Sequence, residues 1–299
     1  MRLIFVLLIV LGLSAVPALA DSIPAAAITD PPPDKDHPAH FITFGLPTHG
    51  VKINAMMYIP GGAGPFPTVI LFHGFPGPEN NLDLAQAIRR AGWNVLLLRM
   101  RGSWGSAGHF TFSHCLEDAQ AAVAWLRDPK TAASQPVDPS RIVVMGHSMG
   151  GWIAGYTAVH DPKIVGAALI SAGDWSGDAA RQPLNDVAAS IEATMGSKAG
   201  VTVLGNTTAR ELADELRRKG KNWGLDHYAG ALAKHPLLVV TANDQLREYD
   251  DALSTAVAAQ PDAKLTRVHF DTNHGYNDHR IALAAALVEW LATLPGAPH

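Results

Sequence analysis

Short apolar runs alternate with helical stretches along most of this chain, and this alternation limits the folds open to it more than any other feature. A continuous run such as "PTVILFHG" (Pro67–Gly74) predicts a strand covered on both faces, because a strand with one face in solvent would alternate with polar residues. The repeated order of strand and helix predicts an α/β fold, a three-layer α/β/α sandwich around a doubly wound, mostly parallel sheet. The expected strands are "FITFG", "VKINAMMYIP", "PTVILFHG", "WNVLLLRM", "SRIVVMG", "IVGAALIS", "PLLVVTA" and "KLTRVHF".

One long interval, from Asp174 to about Leu232, interrupts this order because it contains no convincing strand. Its clearest helical piece is "TARELADELRRKG", with Thr208 as a plausible N-cap and Gly220 at its end. A connection of this length is too long for a plain loop between core strands. We expect a helical lid insertion over residues 174–232. The other expected helices cover residues 82–91, 115–127, 149–160, 246–259 and 279–294.

The first twenty residues have the pattern of a signal peptide. Arg2 precedes eleven uncharged residues, Leu3–Leu13, and small residues at Ala18 and Ala20 predict cleavage after Ala20. Eleven apolar residues are too few for a membrane-spanning helix, which needs about 20. We therefore expect export to the periplasm or beyond, with no stable membrane insertion after cleavage. Residues 21–40 read as a proline-rich arm, and residues 41–299 as the α/β domain.

Composition excludes some partners and leaves others open. The net charge of −4 and one short basic cluster, Arg217–Lys221, do not favour nucleic-acid binding, and that cluster is typical of a solvated helix face. Cys115, the single cysteine, allows no internal disulfide, and we interpret it as a small buried side chain. His37 and His40 have no third ligand nearby, so no metal is expected. No cofactor is predicted, and no feature indicates an oligomeric state.

The pentapeptide "GHSMG", Gly146–Gly150, carries the strongest chemical signal. It follows an apolar strand and precedes a helix, as the sharp turn that exposes a nucleophilic serine requires. Flanking glycines let neighbouring backbone approach that turn without a Cβ clash. Ser148 is therefore the candidate nucleophile. The backbone N–H of Met149, at the helix start, is a candidate donor to an oxyanion.

A serine nucleophile needs a histidine base and an acid that orients it, in the chain order serine, acid, histidine. His274, in the loop after the last strand and followed by a glycine, is the predicted base. Asp244 follows a buried strand and is the preferred acid, with Asp174 as its rival. Four histidines are less favoured as the base: His269 lies within a strand, His279 at a helix start and His227 in the insertion, and His147 is expected to point elsewhere on the turn. Asp250 and Asp251 are less favoured as the acid, because both are expected at the surface.

The second oxyanion donor is expected in "HGFPG", which follows the strand that ends near Phe72. Phe75 can offer its backbone N–H, whereas Pro76 has none. His73 is interpreted as a structural hydrogen-bonding group in this loop. Trp104 and Trp175 are candidate substrate-pocket residues. Trp152 begins a buried helix and is at least as well explained by core packing.

With the motifs "HGFPG", "RGSWGSAGHF", "GHSMGG", "TANDQ" and "NHGY", the chain resembles the α/β-hydrolase superfamily over residues 41–294. The loop "RGSWGSAG" and the "NHGY" ending are similar to those of dienelactone hydrolases and prolyl-oligopeptidase-type serine hydrolases. Two features depart from those groups: a serine replaces the dienelactone-hydrolase cysteine, and there is no room for a propeller domain. The resemblance implies Ser148, Asp244 and His274 as a triad, with Phe75 and Met149 as oxyanion donors.

The sequence thus leads us to expect a serine hydrolase that cleaves carboxylic esters through an acyl-enzyme. Two alternatives remain open. The same residues could cleave small peptides or aminoacyl amides, although no anchor for an amino terminus can be named. A non-catalytic binding module on a hydrolase scaffold would also have this fold, but such a protein would be expected to have lost at least one member of the triad. The expected partner is a small-molecule ester or peptide.

Overall fold

The computed structural model describes residues 23–173, 182–195 and 203–298. The predicted signal peptide, Asp174 and Trp175 lie outside these residues, as does part of the predicted insertion. Within the described chain the strands form one eight-stranded sheet in the order β1-β2-β4-β3-β5-β6-β7-β8. The strands are β1 His40–Thr48, β2 Val51–Ile59, β3 Phe66–Phe72, β4 Asn94–Leu98, β5 Val137–His147, β6 Gly166–Ile170, β7 Leu237–Thr241 and β8 Leu265–His269.

The sheet is antiparallel at one edge and parallel elsewhere. Strand β1 pairs with β2, and β2 with β4, in antiparallel register, whereas the remaining neighbours from β4 to β8 are parallel. The described α-helices are α1 Ala25–Ile28, α2 Leu82–Arg90, α3 Phe112–Arg127, α4 Pro129–Ser134, α5 Met149–His160, α6 Leu184–Met195, α7 Ala209–Lys219, α8 Ala229–Leu232, α9 Arg247–Ala258 and α10 Arg280–Ala292. Two 3-10 turns, Gly220–Asn222 and Leu225–Tyr228, follow α7.

Two apolar cores, one on each face of the sheet, confirm the three-layer sandwich. On β3, Ile70 and Phe72 pack into the core shared with α3, α5 and α9. Val69 and Leu71 pack into the other core, shared with α1, α2 and α10. Because successive side chains of a strand point to opposite faces, a strand buried on both faces must be apolar throughout. This explains the uninterrupted run that the sequence shows here.

The described parts of the predicted insertion are helical and pack onto the first of these cores. Helix α7 begins with a complete capping box, in which Thr208 accepts from the Glu211 N–H and Glu211 accepts from the Thr208 N–H. Gly220 is its C-cap. The predicted bounds of this helix are therefore confirmed. An isolated bridge pairs Leu204 with Ser103.

The segment between residues 23 and 40 is tied to the domain surface and is not simply extended. It contains α1, and Arg90 of α2 donates to the carbonyl oxygens of Ala26 and Ala27. Ala27 is buried in the core on that face. No helix in the described part of the chain combines the length and the apolar character needed to cross a membrane.

Candidate active site

Ser148 lies at the sharp turn between β5 and α5, with a φ of 57°. A non-glycine residue at positive φ is strained, and such strain is typical of functional turns. The glycines on either side are needed for space: a Cβ on Gly150 would lie 2.1 Å from the Phe72 carbonyl oxygen, and one on Gly146 would lie 2.2 Å from the Gly150 carbonyl carbon. The turn is thus built so that a serine side chain stands at the carboxyl edge of the sheet.

Asp244 and His274 are brought together by the loops that follow β7 and β8. The Nδ1 atom of His274 lies 2.7 Å from Oδ2 of Asp244. The other carboxylate oxygen of Asp244 accepts from the Leu246 N–H at 3.0 Å. The Asp244 side chain is 3% exposed and that of His274 35% exposed. The carboxylate is therefore buried behind an imidazole whose outer edge reaches solvent, which is the arrangement expected of an orienting acid and a base.

The environment keeps Asp244 ionised. Burial alone would raise the pKa of this carboxyl, but hydrogen bonds from His274 and Ser171 outweigh burial and leave the pKa below its ordinary value. An ionised carboxylate holds the Nδ1–H tautomer of His274, which leaves Nε2 free to accept a proton.

Two buried residues that sequence reasoning missed support the acid. Ser171, directly after β6, helps to lower the pKa of the Asp244 carboxyl, and its hydroxyl lies 2.8 Å from the Tyr276 hydroxyl. Tyr276 also donates to the Val240 carbonyl oxygen at 3.3 Å. Both side chains are fully buried. The only sequence signal for these two residues is their position, since Ser171 directly follows β6 and Tyr276 lies two residues after His274. Serine and tyrosine are not by themselves specific for supporting an acid.

His147 lies against the candidate base, so the expectation that it points elsewhere on the turn is wrong. Its ring centroid is 4.5 Å from that of His274, and its Nε2 lies 2.7 Å from the His274 carbonyl oxygen. That oxygen can only accept, so His147 Nε2 carries the proton. Burial, and secondly the proximity of His274, lowers the pKa of His147 to about 4, so the ring is neutral near pH 7.

These contacts place the base beside the serine turn, because His147 directly precedes Ser148. Among the described residues no hydrogen bond joins the Ser148 hydroxyl to the His274 ring. Catalytic hydrogen bonds are often long in unliganded sites and tighten when substrate binds. The serine backbone itself is fixed: its N–H donates to the Ile170 carbonyl oxygen at 2.9 Å, and its carbonyl accepts from Gly173 at 3.1 Å.

The two predicted oxyanion donors flank the serine. Met149 is the first residue of α5, so its N–H has no partner within the helix and carries the positive end of the helix dipole. Gly74 packs against the serine on the other side, where a Cβ would lie 3.2 Å from the Ser148 Cβ. Phe75 follows directly, and its ring packs on Phe110 and Phe112. Met149 and the Gly74–Phe75 segment thus adjoin the serine turn, and the role of the Phe75 and Met149 N–H groups as oxyanion donors stays a prediction.

The predicted aromatic residues differ in position. Trp104 lies against the loop that carries Phe75: its Nε1 donates to the Pro76 carbonyl oxygen at 2.9 Å. Trp152 is fully buried and donates to the Trp223 carbonyl oxygen, so its interpretation as a core residue is confirmed. Trp175 lies outside the described residues, as does the rival acid Asp174.

The other histidines considered in the sequence lie where they cannot replace His274 as the candidate base. His269 is in β8 and contacts Thr241, His279 is the N-cap of α10, and His227 is an exposed partner of Asp226. His73 donates from Nδ1 to the Gly74 carbonyl oxygen, which fits its expected structural role. Cys115 is buried as expected, and burial raises the pKa of its thiol.

The expectation that Asp250 lies at the surface is wrong. It is fully buried in α9 and accepts from the Ala172 N–H at 3.0 Å. Burial raises its pKa to about 8. Asp251, its neighbour, is partly exposed and pairs with Arg267. The first turn of α9 thus lies against the residues that follow β6, and the sequence gives no periodic apolar signal at that position.

Comparison with known proteins agrees with this geometry. A sequence profile of the alpha/beta hydrolase family matches residues 69–286, the stretch that contains the serine turn, the acid and the histidine. This chain belongs to the alpha/beta hydrolase family. The profile covers most of the sheet and all three residues of the predicted triad.

Individual relatives within this family are matched over shorter regions. An uncharacterized protein of Mycobacterium tuberculosis is 31% identical over 122 residues, which are 40% of this chain and 41% of the relative. A thermostable monoacylglycerol lipase of a Bacillus species is 32% identical over 108 residues, 35% of this chain and 40% of the lipase. The match thus spans less than half the length of each of these curated relatives.

Solved structures extend the likeness to nearly the whole fold. A thermostable carboxylesterase cloned from a metagenomic library superposes with a TM-score of 0.55 at 22% identity, over 88% of this chain and 91% of the esterase. At that level of identity the superposition shows a shared fold.

Proposed function

We propose that this protein is a serine hydrolase of carboxylic esters. The observation that carries the proposal is the contact between the buried Asp244 carboxylate and His274, whose atoms lie 2.7 Å apart. The loop of His274 contacts His147, which directly precedes Ser148 in the strained turn. The likeness to a monoacylglycerol lipase and to a carboxylesterase supports an ester as the substrate. The chemistry needs no group beyond these side chains and water.

In the first step the Ser148 oxygen attacks the ester carbonyl carbon while His274 Nε2 takes the hydroxyl proton. The carbonyl oxygen becomes an oxyanion, which the N–H groups of Phe75 and Met149 stabilise. Collapse of this intermediate breaks the bond to the alcohol, which leaves with the proton held by His274. Water then attacks the acyl-serine and gives a proton to His274; the bond between the acyl carbon and the Ser148 oxygen breaks, His274 returns that proton to Ser148, and the carboxylic acid is released.

The decisive experiment compares purified wild-type protein with Ser148→Ala and with Ser190→Ala, a matched change at an exposed serine of α6. On nitrophenyl esters of graded acyl length, Ser148→Ala is expected to lower kcat by at least about 10⁴-fold. Ser190→Ala should match wild type. Hydrolysis by Ser148→Ala at the wild-type rate would disprove the assignment.

The same proteins separate ester hydrolysis from its rivals. A panel of aminoacyl nitroanilides measures amide cleavage, and a rate above that on esters would favour the peptidase alternative. Labelling with a fluorophosphonate probe tests the non-catalytic alternative. An intact triad should label at Ser148, and absence of labelling together with absence of turnover would favour a binding module.

The identity of the acid has its own test, because Asp244 and Asp174 are the two candidates. Asp244→Asn is expected to lower kcat by about 10³–10⁴-fold, since the amide holds the wrong tautomer of His274. Asp174→Asn should leave kcat within a few-fold of wild type. The reverse result would transfer the role to Asp174.

We also propose that the protein is exported and processed after Ala20. The support is the pattern of the first twenty residues: one positive charge, a short apolar stretch and small residues before the cleavage point. Expression of the full chain in a bacterial host, followed by mass analysis of the periplasmic fraction, should give a protein that begins at Asp21. Recovery of the uncleaved chain in the cytosol would contradict the proposal.

A further inference from the structure

A cavity lies beside His73, two residues before Phe75 in the chain. It has a volume of about 480 Å³ and lies over the outer strands, on the face of the sheet that carries α2. Its apolar wall includes Leu71, Leu97 and Met56, and Leu82 at the start of α2 lies at its margin. Ser148 is not among its lining residues. A cavity of this size can hold a small organic ligand.

The polar side of this cavity contains a cation that has no counter-ion among the described residues. The Arg99 side chain is partly buried, and its Nη1 is shielded from solvent and has no hydrogen-bond partner in the described part of the chain. Its guanidinium lies 5.4 Å from the centre of the Trp104 ring. Within the described chain no carboxylate lies within 4.0 Å of Arg99, whereas each of the other described arginines that is not exposed has such a partner.

A guanidinium in this state points to an external acceptor. Buried donors in native proteins are almost always paired, and leaving a charged donor unpaired costs more than leaving a neutral one. Burial already lowers the pKa of Arg99, which is the electrostatic cost of holding the charge there without a partner. The contact with the Trp104 ring satisfies none of the guanidinium N–H groups. An anion bound in the cavity would supply the missing acceptor.

His73 adds a second unpaired polar atom to the same cavity. The residue is 4% exposed, and its Nε2 has no partner among the residues that the structure describes. Because Nδ1 donates to the Gly74 carbonyl oxygen, Nε2 is an acceptor and not a donor. Burial lowers the pKa of His73 to about 4, so the ring is neutral near pH 7 and does not add to the positive charge. A bridging water or ligand hydroxyl can satisfy Nε2 beside an anion held by Arg99.

We propose that this cavity is a binding site for an aliphatic carboxylate. The carboxylate group accepts from Arg99, and the aliphatic chain lies against Leu71, Leu97 and Met56. The site is distinct from the candidate triad, because none of Ser148, Asp244 and His274 is among the residues that line the cavity. The proposal does not depend on ester hydrolysis, since it concerns binding at a position that the triad does not touch.

Isothermal titration calorimetry on the full mature chain tests the site with three probes. Octanoate has both the charge and the chain, 1-octanol has only the chain, and inorganic phosphate has only the charge. We expect octanoate to bind at least tenfold more tightly than either of the others. Equal affinity for octanol would exclude a role for the charge, and equal affinity for phosphate would exclude a role for the apolar wall. No binding of octanoate would also overturn the proposal.

Variants then locate the binding. Arg99→Gln should weaken octanoate binding at least tenfold, which is about 1.4 kcal/mol, whereas Arg267→Gln, at an exposed arginine paired with Asp251, should leave it unchanged. Arg99→Gln removes an unpaired cation, so its Tm should not fall, and this checks the fold. Leu82→Trp narrows the cavity without removing the charge and should also weaken binding. Octanoate binding that neither Arg99→Gln nor Leu82→Trp alters would place the ligand elsewhere and disprove the site.

Discussion

At the scale of single residues, the contact between His147 and His274 has the clearest functional consequence. The candidate base is held from two directions: Asp244 fixes the Nδ1 side of its ring, and the neutral imidazole of His147 holds its backbone carbonyl. Since His147 is joined to Ser148, this second contact links the histidine loop to the serine turn. We interpret His147 as a positioning residue that acts through His274.

Replacing His147 should therefore change the rate more than the affinity. His147→Phe keeps a ring but removes the donor, and we expect kcat on nitrophenyl esters to fall about 10- to 100-fold with KM nearly unchanged, because small displacements of a base are costly. His147→Gln places an amide N–H near the position of Nε2 and should recover much of the loss. A purely structural role would instead lower Tm and active protein yield in both variants without restoring kcat in His147→Gln.

At the scale of elements, helix α9 has a buried acid in its first turn. The pKa of Asp250 in the folded protein is raised by burial to about 8, from an ordinary value of 3.8. Between those two values the folded protein holds a proton that the unfolded chain has lost. Stability must therefore fall as pH rises through this window.

The variant Asp250→Asn removes this pH dependence, because an amide keeps the acceptor for Ala172 and cannot ionise. We expect its Tm to exceed that of wild type at pH 8, by about 2–4 °C for each kcal/mol regained, and the difference to shrink toward pH 5. Asp251→Asn, at the partly exposed neighbour, serves as control and should show no such trend. Thermal unfolding followed by circular dichroism at several pH values measures the effect. If the Tm of Asp250→Asn and that of wild type changed in parallel with pH, the role of Asp250 in the pH dependence would be contradicted.

Helix α7 offers a second test at this scale through its capping box. Thr208→Ala removes the side-chain acceptor for the Glu211 N–H, and we expect the free energy of unfolding to fall by about 1 kcal/mol. Thr194→Ala, at an exposed position inside α6, has no capping role and should change stability by less than about 0.5 kcal/mol. Urea denaturation compares the two. Equal effects would mean that the cap contributes nothing.

The elements also show what a sequence can predict. The bounds of α5 were predicted without error because the motif around Ser148 marks its start, and β3 was clear because a strand covered on both faces is apolar throughout. Helix α3 begins at Phe112, three residues before the prediction, because Thr111 caps it and accepts from His114. That cap depends on one hydroxyl, and serine and threonine occur in too many other settings to mark a helix start alone.

The candidate site also has residues that the sequence predicts and contacts that it does not. Ser148, Asp244 and His274 could be predicted because each follows a strand, and the ends of parallel strands meet at one edge of the sheet. The supporting contacts of His147 and Tyr276 could not, because they depend on the direction of a side chain across two elements distant in sequence. No local pattern encodes that direction.

At the scale of the whole molecule, the described parts of the insertion are joined to the domain core. Leu212 and Leu216 of α7 and Trp223 after it belong to the same buried cluster as α3 and α5. Trp152 donates to the Trp223 carbonyl oxygen at 2.9 Å. We expect these helices to unfold together with the sheet. Circular dichroism and tryptophan fluorescence should therefore report one coincident urea transition, and separate midpoints would mean that this region unfolds independently.

A polar link between the insertion and the domain is made by Glu215 of α7. Its two carboxylate oxygens accept from the N–H groups of Phe112 and Ser113, at 2.8 and 3.1 Å, at the first turn of α3. A carboxylate there also interacts favourably with the positive end of the helix dipole. The side chain is 5% exposed, so water cannot readily replace it.

Glu215→Ala should lower the free energy of unfolding by about 2 kcal/mol, because it leaves buried donors without this acceptor. Glu215→Gln keeps one acceptor but loses the charge, and it should fall between Glu215→Ala and wild type. Asp214→Ala, one residue earlier on the more exposed side of the same helix, should change stability by less than about 0.5 kcal/mol. Urea midpoints and slopes measured on all four proteins decide the matter. If Glu215→Ala and Asp214→Ala proved equally stable, the Glu215 carboxylate would contribute no more than a surface contact to holding the insertion on the domain.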